Sequence, residues 1–361
     1  MKKIVTVIGA RPQFVKAAVL SRIILEMNQI EEVIIHTGQH FDNNMSDVFF
    51  TEMQIPKAKY NLAINNLTHG AMTGQMLEKV EEVLIIEKPD ALVIYGDTNS
   101  TLAGALAAKK LNIKVIHIEA GLRSFNLKMP EEVNRILTDR ISDLLICPTD
   151  TALNNLKKEG FDNLSIKVEK HGDIMKDAVD FYSKKSSIKS SIIKNLGLKK
   201  DAFVLTTIHR QENTNDEIKL REIFSALDEI NKKNQVIFPL HPRTKRVLEN
   251  FKINSDITFI DPIGYFDMLE LLKSCSMVIT DSGGLQKEAY FCKKNCIVVR
   301  EETEWLELVE YNFAEIVGTS QEKIISAFNH YSVSKTDFNK TLFGKDVGKK
   351  IYESIYNLIT D

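Results

Sequence analysis

The chain has 361 residues, 43% of them hydrophobic and 27% charged, and this length favours two domains of roughly 150 to 200 residues each. A net charge of -2 at pH 7 gives no electrostatic reason to expect nucleic acid or an anionic membrane as a partner. The 4 cysteines form neither a CxxC pair nor a disulfide framework, so we expect reduced thiols in a cytoplasmic protein.

The N-terminal half alternates buried-strand patterns with helical patterns. Its first apolar run, KIVTVI, is too short for a signal peptide or a membrane span and ends in a turn at Gly9. The predicted strands are 3–8, 32–38, 91–95, 113–118 and 143–147, and the predicted helices are 13–27, 70–87, 100–110, 131–140 and 150–159. Strands separated by helices at this spacing predict a parallel, doubly wound α/β sheet.

The stretch from 173 to about 200 is rich in Ser and Lys, and we interpret it as a connecting helix and link. The alternation then resumes, with predicted strands at 202–208, 235–240, 257–260, 277–281 and 295–300 and predicted helices at 216–232, 243–251, 265–273, 284–291 and 345–359. We therefore predict two Rossmann-like domains, 1–172 and 173–344, with the final helix, about 345–361, packing back on the first.

Carboxylates follow two predicted strands of the first half. Asp97 comes after ALVIYG and Glu119 after IKVIHI, while Glu131 and Glu132 follow Pro130 at the start of a helix. Ligands of parallel α/β sheets bind outside the carboxyl ends of the strands, so acids at this edge suit proton transfer.

Neither a GxGxxG after the first strand nor a GxxxxGK[ST] occurs, which weakens dehydrogenase and P-loop interpretations. The acids also lack the spacing of metal ligands. We therefore expect acid/base chemistry by carboxylates with no metal and no redox cofactor.

The stretch ITDSGGLQKEA is the strongest predicted anion site of the second half. A strand leads through Ser282, Gly283 and Gly284 into a helix, whose free N–H groups and positive dipole end suit a phosphate, and Glu288 suits ribose hydroxyls. The alternative is that Asp281 and Ser282 only cap the helix.

Two histidines also end predicted strands. His209 is followed by Arg210, and His241 is followed closely by Arg243, a combination that suits a diphosphate. The alternative for each is an ordinary turn residue.

Two loops of the first half carry further candidates. The loop GARPQFVK places Arg11 and Lys16 around the start of the first helix, and TGQHFDNN offers Gln39, His40 and Asp42 at another strand end. Solvated surface residues are the equally weighted alternative in both loops.

Several motifs together resemble the non-hydrolysing UDP-N-acetylglucosamine 2-epimerase family. They are GARPQFVKAA, YGDTNSTLAGALAA, HIEAGLRS, MPEEVNRILTD, TIHRQEN and TDSGGLQKEA, and they agree in order and spacing over nearly the whole chain. The resemblance implies the two-domain fold of the B-type glycosyltransferases (GT-B), an active site in the interdomain cleft and a cytoplasmic homodimer.

The resemblance also implies a chemistry in polysaccharide precursor synthesis. Family members eliminate UDP across C1 and C2 of the sugar and add it back with the proton on the other face of C2. Carried over by motif, Asp97, Glu119 and Glu131 are the catalytic acids, and His209 matches a catalytic or phosphate-binding histidine. The implied substrate-binding residues are Arg11, Lys16, Arg135, Ser282, Gly283, Gly284 and Glu288. We add His241 for its place at a strand end and Tyr265 for its place near the expected uracil wall.

Two segments depart from the commoner family pattern. GARPQFVK replaces the usual GTRPEAIK, and EETEWLEL stands where many members have TTERPE; both resemble a branch acting on UDP-2,3-diacetamido-2,3-dideoxy-glucuronate. We hypothesise that Gln13, Phe14 and Trp305 line the sugar end of the site. The rival functions are a GT-B glycosyltransferase using a UDP-sugar donor and a non-enzymatic UDP-sugar sensor.

Overall fold

A computed structural model of the chain describes residues 1–39, 53 and 55–360. The chain divides into two compact units, one formed by Met1–Ala178 with Leu342–Asp361 and the other by Val179–Thr341. None of the described helices is both long and apolar enough to cross a membrane.

The first unit is built on a parallel sheet with the strand order β3-β2-β1-β4-β5-β6-β7. The five strands predicted for this half are confirmed, whereas two short edge strands, β3 and β7, were not predicted. In chain order the strands are β1 (Lys2–Ile8), β2 (Ile30–His36), β3 (Tyr60–Asn61), β4 (Ala91–Tyr95), β5 (Lys114–Ile118), β6 (Leu144–Cys147) and β7 (Lys167–Lys170).

The second unit repeats this arrangement with the order β10-β9-β8-β11-β12-β13, again parallel throughout. The α/β fold with two doubly wound sheets is therefore confirmed. Its strands are β8 (Phe203–Thr207), β9 (Gln235–Pro239), β10 (Thr258–Ile260), β11 (Met277–Thr280), β12 (Cys296–Val298) and β13 (Ala314–Ile316).

Helices connect the parallel strands in both units and cover the faces of each sheet. Several begin at a side chain that accepts from a free backbone N–H, as Thr98, Thr149 and Asp216 do. In chain order the described α-helices are α1 (Arg11–Met27), α2 (His69–Glu87), α3 (Asn99–Lys110), α4 (Pro130–Ile141), α5 (Asp150–Lys158), α6 (Ile174–Lys189), α7 (Ile192–Asn195), α8 (Gln211–Thr214), α9 (Glu217–Asn231), α10 (Pro242–Asn250), α11 (Tyr265–Ser274), α12 (Gly283–Phe291), α13 (Leu306–Glu310), α14 (Gln321–Val333) and α15 (Val347–Thr360).

The final helix, α15, belongs to the first unit and packs against α1. Gly348 permits the contact, because a Cβ there would come within 2.6 Å of Ile23 and 2.9 Å of Val19. The Tyr352 hydroxyl also donates to Oε1 of Gln29 at 2.9 Å. The chain thus returns to its first unit after completing the second.

Each sheet reverses its strand order beside its first strand, between β1 and β4 in the first unit and between β8 and β11 in the second. Open α/β sheets bind ligands at the carboxyl ends of the strands flanking such a switch point. Residues 9–13 and 96–98 occupy that place in the first unit, and residues 208–210 and 281–284 occupy it in the second.

Candidate active site

Asp97 lies directly beyond β4, at the switch point of the first sheet, and is paired with Arg135. Arg135 is buried on α4 and donates from Nη2 to Oδ2 of Asp97 and from Nη1 to Oε2 of Glu132 at 2.8 Å. The side chain of Asp97 keeps 31% of its surface exposed. Arg135 therefore joins Asp97 to α4, which makes it a carboxylate-binding residue in this structure.

Glu119 ends β5 and forms an ion pair with Lys16, which projects from α1. Its φ of +72° is in the left-handed region, where residues other than Gly are strained and which is common at active sites. The pair lies against Gly96, because a Cβ on that glycine would come within 3.1 Å of Glu119 Oε2 and 3.9 Å of Lys16 Nζ. Glu119 and the turn that carries Asp97 are therefore neighbours.

The two adjacent glutamates at the start of α4 have different environments. Glu132 is fully buried and accepts from Ser124 N at 3.0 Å, Ser124 Oγ at 3.1 Å and Phe125 N at 2.8 Å. Glu131 is half-buried, and no hydrogen bond or ion pair holds its carboxylate among the described residues. Glu132 thus has a structural role, and Glu131 has the carboxylate available for chemistry.

Gln13 is bonded within the protein and does not present its amide to a ligand. Its Oε1 accepts from Gly9 N at 2.8 Å and Ala10 N at 3.0 Å, and its Nε2 donates to Tyr95 O at 2.8 Å and to two threonine hydroxyls. The prediction that Gln13 lines the sugar end is therefore wrong. The side chain instead ties the loop after β1 to the loop after β4.

Phe14 also belongs to the interior. It is fully buried, and its ring stacks on His36 with 5.2 Å between ring centroids. Its predicted place in a sugar pocket is therefore wrong as well, because no ring surface remains for a ligand.

The loop candidates of the first unit are only partly described. Gln39 Oε1 accepts from the backbone N of Ser100 at 3.1 Å and from its Oγ at 2.8 Å, which fixes the start of α3. His40 and Asp42 lie outside the described residues, as does the side chain of Arg11, which begins α1.

Asp281 organises the switch point of the second unit. It is fully buried and accepts from His209 N at 3.0 Å, Arg210 N at 2.9 Å and Asn213 Nδ2 at 3.2 Å. The ring of His209 is half exposed, with Nδ1 3.2 Å from Oδ1 of Asp281. Asp281 thereby fixes the turn after β8 and orients His209.

Burial alone would raise the pKa of Asp281, but hydrogen bonds from His209 and from the backbone N–H groups of His209 and Arg210 hold it below its ordinary value of 3.8. A depressed pKa adds stability that is present above the ordinary value and is lost as pH falls through the folded-state value. We expect the free energy of unfolding of the second unit to fall below about pH 4.

In the Asp281→Asn variant the free energy of unfolding should fall less than in the wild type as the pH drops below about 4. Urea unfolding between about pH 3 and pH 7 measures this difference. Asp256 is exposed, so Asp256→Asn is the matched control and should keep the wild-type pH dependence of the free energy of unfolding. The same pH dependence in the Asp281 variant as in the wild type would contradict the assignment.

The predicted anion turn forms as expected between β11 and α12. Ser282 precedes α12 and accepts at Oγ from Leu285 N at 3.5 Å, and Gly283 and Gly284 form the first helical positions. Ser282 N itself donates to Oγ1 of Thr280 at 2.9 Å. The helix therefore starts with the small residues that allow a close approach to backbone N–H groups.

Glu288 and Tyr265 are neighbours in the second unit. Burial, followed by the nearby negative charge of Glu288, raises the pKa of Tyr265 well above its ordinary value. Only 5% of Tyr265 is exposed, and its ring packs edge-on against Tyr182. It has little surface for stacking on a base, and its contact with Glu288 positions that carboxylate.

The chain was compared with known families and proteins. The sequence model of the UDP-N-acetylglucosamine 2-epimerase family matches residues 23–355. A UDP-2,3-diacetamido-2,3-dideoxy-D-glucuronate 2-epimerase from Pseudomonas aeruginosa is 48% identical over 94% of this chain and 93% of its own length. A UDP-N-acetylglucosamine 2-epimerase from Methanococcus maripaludis is 40% identical over 99% of both chains.

A solved structure agrees with these relatives. The crystal structure of the Methanocaldococcus jannaschii UDP-GlcNAc 2-epimerase in complex with UDP-GlcNAc and UDP has a TM-score of 0.91 and 40% identity, covering 99% of this chain and 100% of the other. The chain belongs to the UDP-N-acetylglucosamine 2-epimerase family.

Four of the six epimerase motifs named from the sequence fall at the switch points of the two sheets, and the other two, HIEAGLRS and MPEEVNRILTD, begin at the end of β5 and at the start of α4. His241 precedes α10 and is exposed, and its Nδ1 accepts from Arg243 N at 3.2 Å, so it caps the start of this helix. Trp305 is 4% exposed, with Lys287 Nζ 3.8 Å from its ring centroid. Its Nε1 is 3.4 Å from where a Cβ on Gly283 would lie, so Trp305 packs against the turn of Ser282, Gly283 and Gly284.

Sequence reasoning missed the buried residues that hold this epimerase site together, above all His117, Asp139 and Arg123. Their signal was present, because a histidine inside the apolar run IKVIHI and charged residues on the buried face of α4 need partners in the interior.

Proposed function

We propose that this chain inverts C2 of a UDP-N-acetylhexosamine by eliminating and re-adding UDP, in the synthesis of surface polysaccharide precursors. The observation that carries the proposal is that Asp97 and Glu119 follow the adjacent strands β4 and β5. Arg135 of α4, the helix that also carries Glu131, binds Asp97. Membership of the epimerase family and the relatives' named activities support it.

The proposed reaction has two balanced halves. One carboxylate removes the C2 proton while the C1–O bond to UDP breaks, which leaves a C1=C2 double bond and free UDP. The β-phosphate oxygen then re-forms the bond to C1 as a second acid protonates C2 on the opposite face. Because the protons are exchanged on opposite faces, at least two acid/base groups are needed, and the three acids supply them.

The proposed task of the second unit is to hold UDP. The turn of Ser282, Gly283 and Gly284 presents backbone N–H groups at the positive end of α12, which suits a diphosphate. His209, oriented by Asp281, presents its half-exposed ring at the end of β8. Donors arranged in advance stabilise the charge that develops on the leaving UDP, typically by several kcal/mol of barrier.

Incubation with a UDP-sugar in deuterated water tests the proposal. UDP-N-acetylglucosamine and UDP-2,3-diacetamido-2,3-dideoxy-glucuronate are each incubated with the protein, and C2 is followed by NMR and mass spectrometry. We expect deuterium at C2 and the C2-inverted sugar with one of them. Absence of both products with both donors would contradict the epimerase assignment.

The same experiment separates the rival functions. A glycosyltransferase would release UDP only when an acceptor is added and would leave C2 undeuterated. A UDP-sugar sensor would bind without turnover, and Asp97→Asn would then change none of its measured properties. The three clustered acids favour epimerisation, because a transferase mainly needs one base and an acceptor pocket.

The diacetamido uronate is the donor we propose this enzyme prefers. The P. aeruginosa relative, named for that substrate, is 48% identical, against 40% for the M. maripaludis UDP-N-acetylglucosamine 2-epimerase. A comparison of kcat/KM for the two donors tests the preference. A higher value for UDP-N-acetylglucosamine would contradict the proposal.

Changes at the anion turn should act on UDP binding. We expect Ser282→Ala and Glu288→Gln each to lower the affinity for UDP about tenfold. Loss of one hydrogen bond costs about 1.4 kcal/mol, which corresponds to a factor of about ten in the dissociation constant. Calorimetric titration with UDP measures the affinity. Ser320→Ala, which starts another helix of the same unit without a side-chain cap, is the control. Unaltered affinity in both site variants would contradict the role.

We also propose that the enzyme acts in the cytoplasm as a homodimer, as the family resemblance implies. Light scattering on the purified protein measures its mass in solution, and a monomer at working concentration would contradict the dimer.

A further inference from the structure

His117 is a fully buried histidine of β5, two residues before Glu119. Its Nε2 lies 2.7 Å from the carbonyl oxygen of Gly96, and its Nδ1 lies 2.7 Å from Oδ1 of Asp139. A carbonyl oxygen only accepts, so Nε2 carries a proton. The ring therefore donates to the peptide unit that joins Gly96 to Asp97.

The second ring nitrogen faces a carboxylate that is already well supplied with donors. Oδ2 of Asp139 accepts from Gly121 N at 3.1 Å and from Arg123 Nη1 at 2.7 Å. Burial alone would raise the pKa of Asp139, but the hydrogen bonds and charges of His117 and Arg123 hold it below its ordinary value. Nδ1 of His117 faces this carboxylate, so both ring nitrogens have a hydrogen-bond partner in the interior.

The carboxylate that faces His117 belongs to a buried network. Arg123 donates from Nε and Nη2 to the two oxygens of Glu159 at 2.7 and 2.8 Å. Asp139, Arg123 and Glu159 thus alternate in sign, which is the arrangement that makes buried charges tolerable. A ring held on both sides in this way has one orientation.

The ring touches every element that carries a proposed catalytic acid. It lies on β5, which Glu119 directly follows; it bonds the Gly96 carbonyl next to Asp97; and it bonds Asp139 on α4, the helix of Glu131. Small displacements between reacting groups cost large factors in rate, so the spacing of these elements matters for catalysis.

We propose that His117 is a positioning residue whose ring, bonded at both nitrogens, sets the spacing of Asp97, Glu119 and Glu131. The inference deepens the proposed epimerase function and rests on it. His117 is not assigned a contact with the sugar; it acts through the peptide of Gly96 and through α4.

Two substitutions separate the two hydrogen bonds of the ring. His117→Gln places an amide N–H near the position of Nε2 and keeps the bond to Gly96, whereas His117→Asn places one near Nδ1 and keeps only the bond to Asp139. We expect His117→Asn to lower turnover about tenfold to a hundredfold and His117→Gln to lower it less. UDP affinity, measured by calorimetry, should stay unchanged in both.

The deciding measurement is made in deuterated water. It is the amount of recovered substrate that carries deuterium at C2, divided by the amount of C2-inverted product. A displaced acid alters proton transfer on one face of C2 more than on the other, so we expect this ratio to change at least about threefold in His117→Asn. Partial unfolding lowers both rates equally and leaves the ratio constant. His171→Gln, which loses a ring bonded to Glu169 and Ser354 in the same unit, is the matched control and should keep the wild-type ratio.

The outcomes are distinct. Absence of both exchange and inversion in the unchanged protein would overturn the proposed function itself. An active wild type with an unaltered ratio in both His117 variants would overturn only the positioning role. Should the variants fail to fold, NMR of histidine-labelled wild type decides: a hydrogen-bonded Nε2–H signal from His117 supports the inference, and a ring whose Nε2 carries no proton refutes it.

Discussion

Replacement of Asp97 by Asn is expected to lower turnover of the UDP-sugar by at least about a hundredfold, the usual scale for loss of an acid/base group. The amide keeps the size of the side chain and an oxygen that accepts from Arg135, so the fold should be retained. UDP affinity should change little, because the donors proposed for UDP belong to the second unit. Steady-state kinetics and calorimetry measure the two effects.

The same strand supplies a matched control at its other end. Asp90 precedes β4 and accepts from Lys2 Nζ at 3.1 Å and Lys3 N at 2.8 Å, at the surface. Asp90→Asn makes the same chemical change, and we expect turnover to stay within about twofold, since exposed ion pairs contribute little. Equal losses in the two variants, or none in Asp97→Asn, would remove Asp97 from the mechanism.

The sheets were predictable because their central strands are apolar runs buried on both faces. KIVTVI and ALVIY became β1 and β4, with every residue of β4 buried. Three of the four edge strands, β3, β7 and β13, were not predicted. β7 reads KVEK and β13 reads AEI, and such short, half-polar segments gain their structure from the neighbouring strand.

The position of the candidate site was also predictable, because parallel sheets bind ligands at a fixed edge. The partners of its residues were not. Gln13 follows the first strand in a loop that resembles a ligand loop, yet its amide is bonded to backbone and hydroxyl groups of two loops. Such bonding depends on which loops meet in space, and periodicity carries no information about that.

The pair Glu131 and Glu132 illustrates the same limit. Both follow Pro130, and the sequence places both in the first turn of a helix, where acids favour the dipole. Only the direction in which each side chain leaves α4 separates them: Glu132 points into the loop of Ser124 and Phe125, and Glu131 does not.

These neighbouring residues therefore give the second large prediction. Glu131→Gln should lower turnover by at least about a hundredfold while leaving the free energy of unfolding unchanged, because its carboxylate is half-buried and unpaired among the described residues. Glu132→Gln should lower the free energy of unfolding by about 2 to 4 kcal/mol, because it removes the buried charge that pairs with Arg135 and accepts two backbone N–H groups.

Urea unfolding and steady-state kinetics on both variants test this division of roles. Since Arg135 also binds Asp97, Glu132→Gln is expected to reduce turnover as well, so its distinguishing mark is the lost stability. A Glu131→Gln enzyme that is destabilised as much as the Glu132 variant, or that turns over normally, would return Glu131 to a structural role. The epimerisation mechanism would then depend on Asp97 and Glu119 alone, which is the minimum for proton transfer on opposite faces of C2.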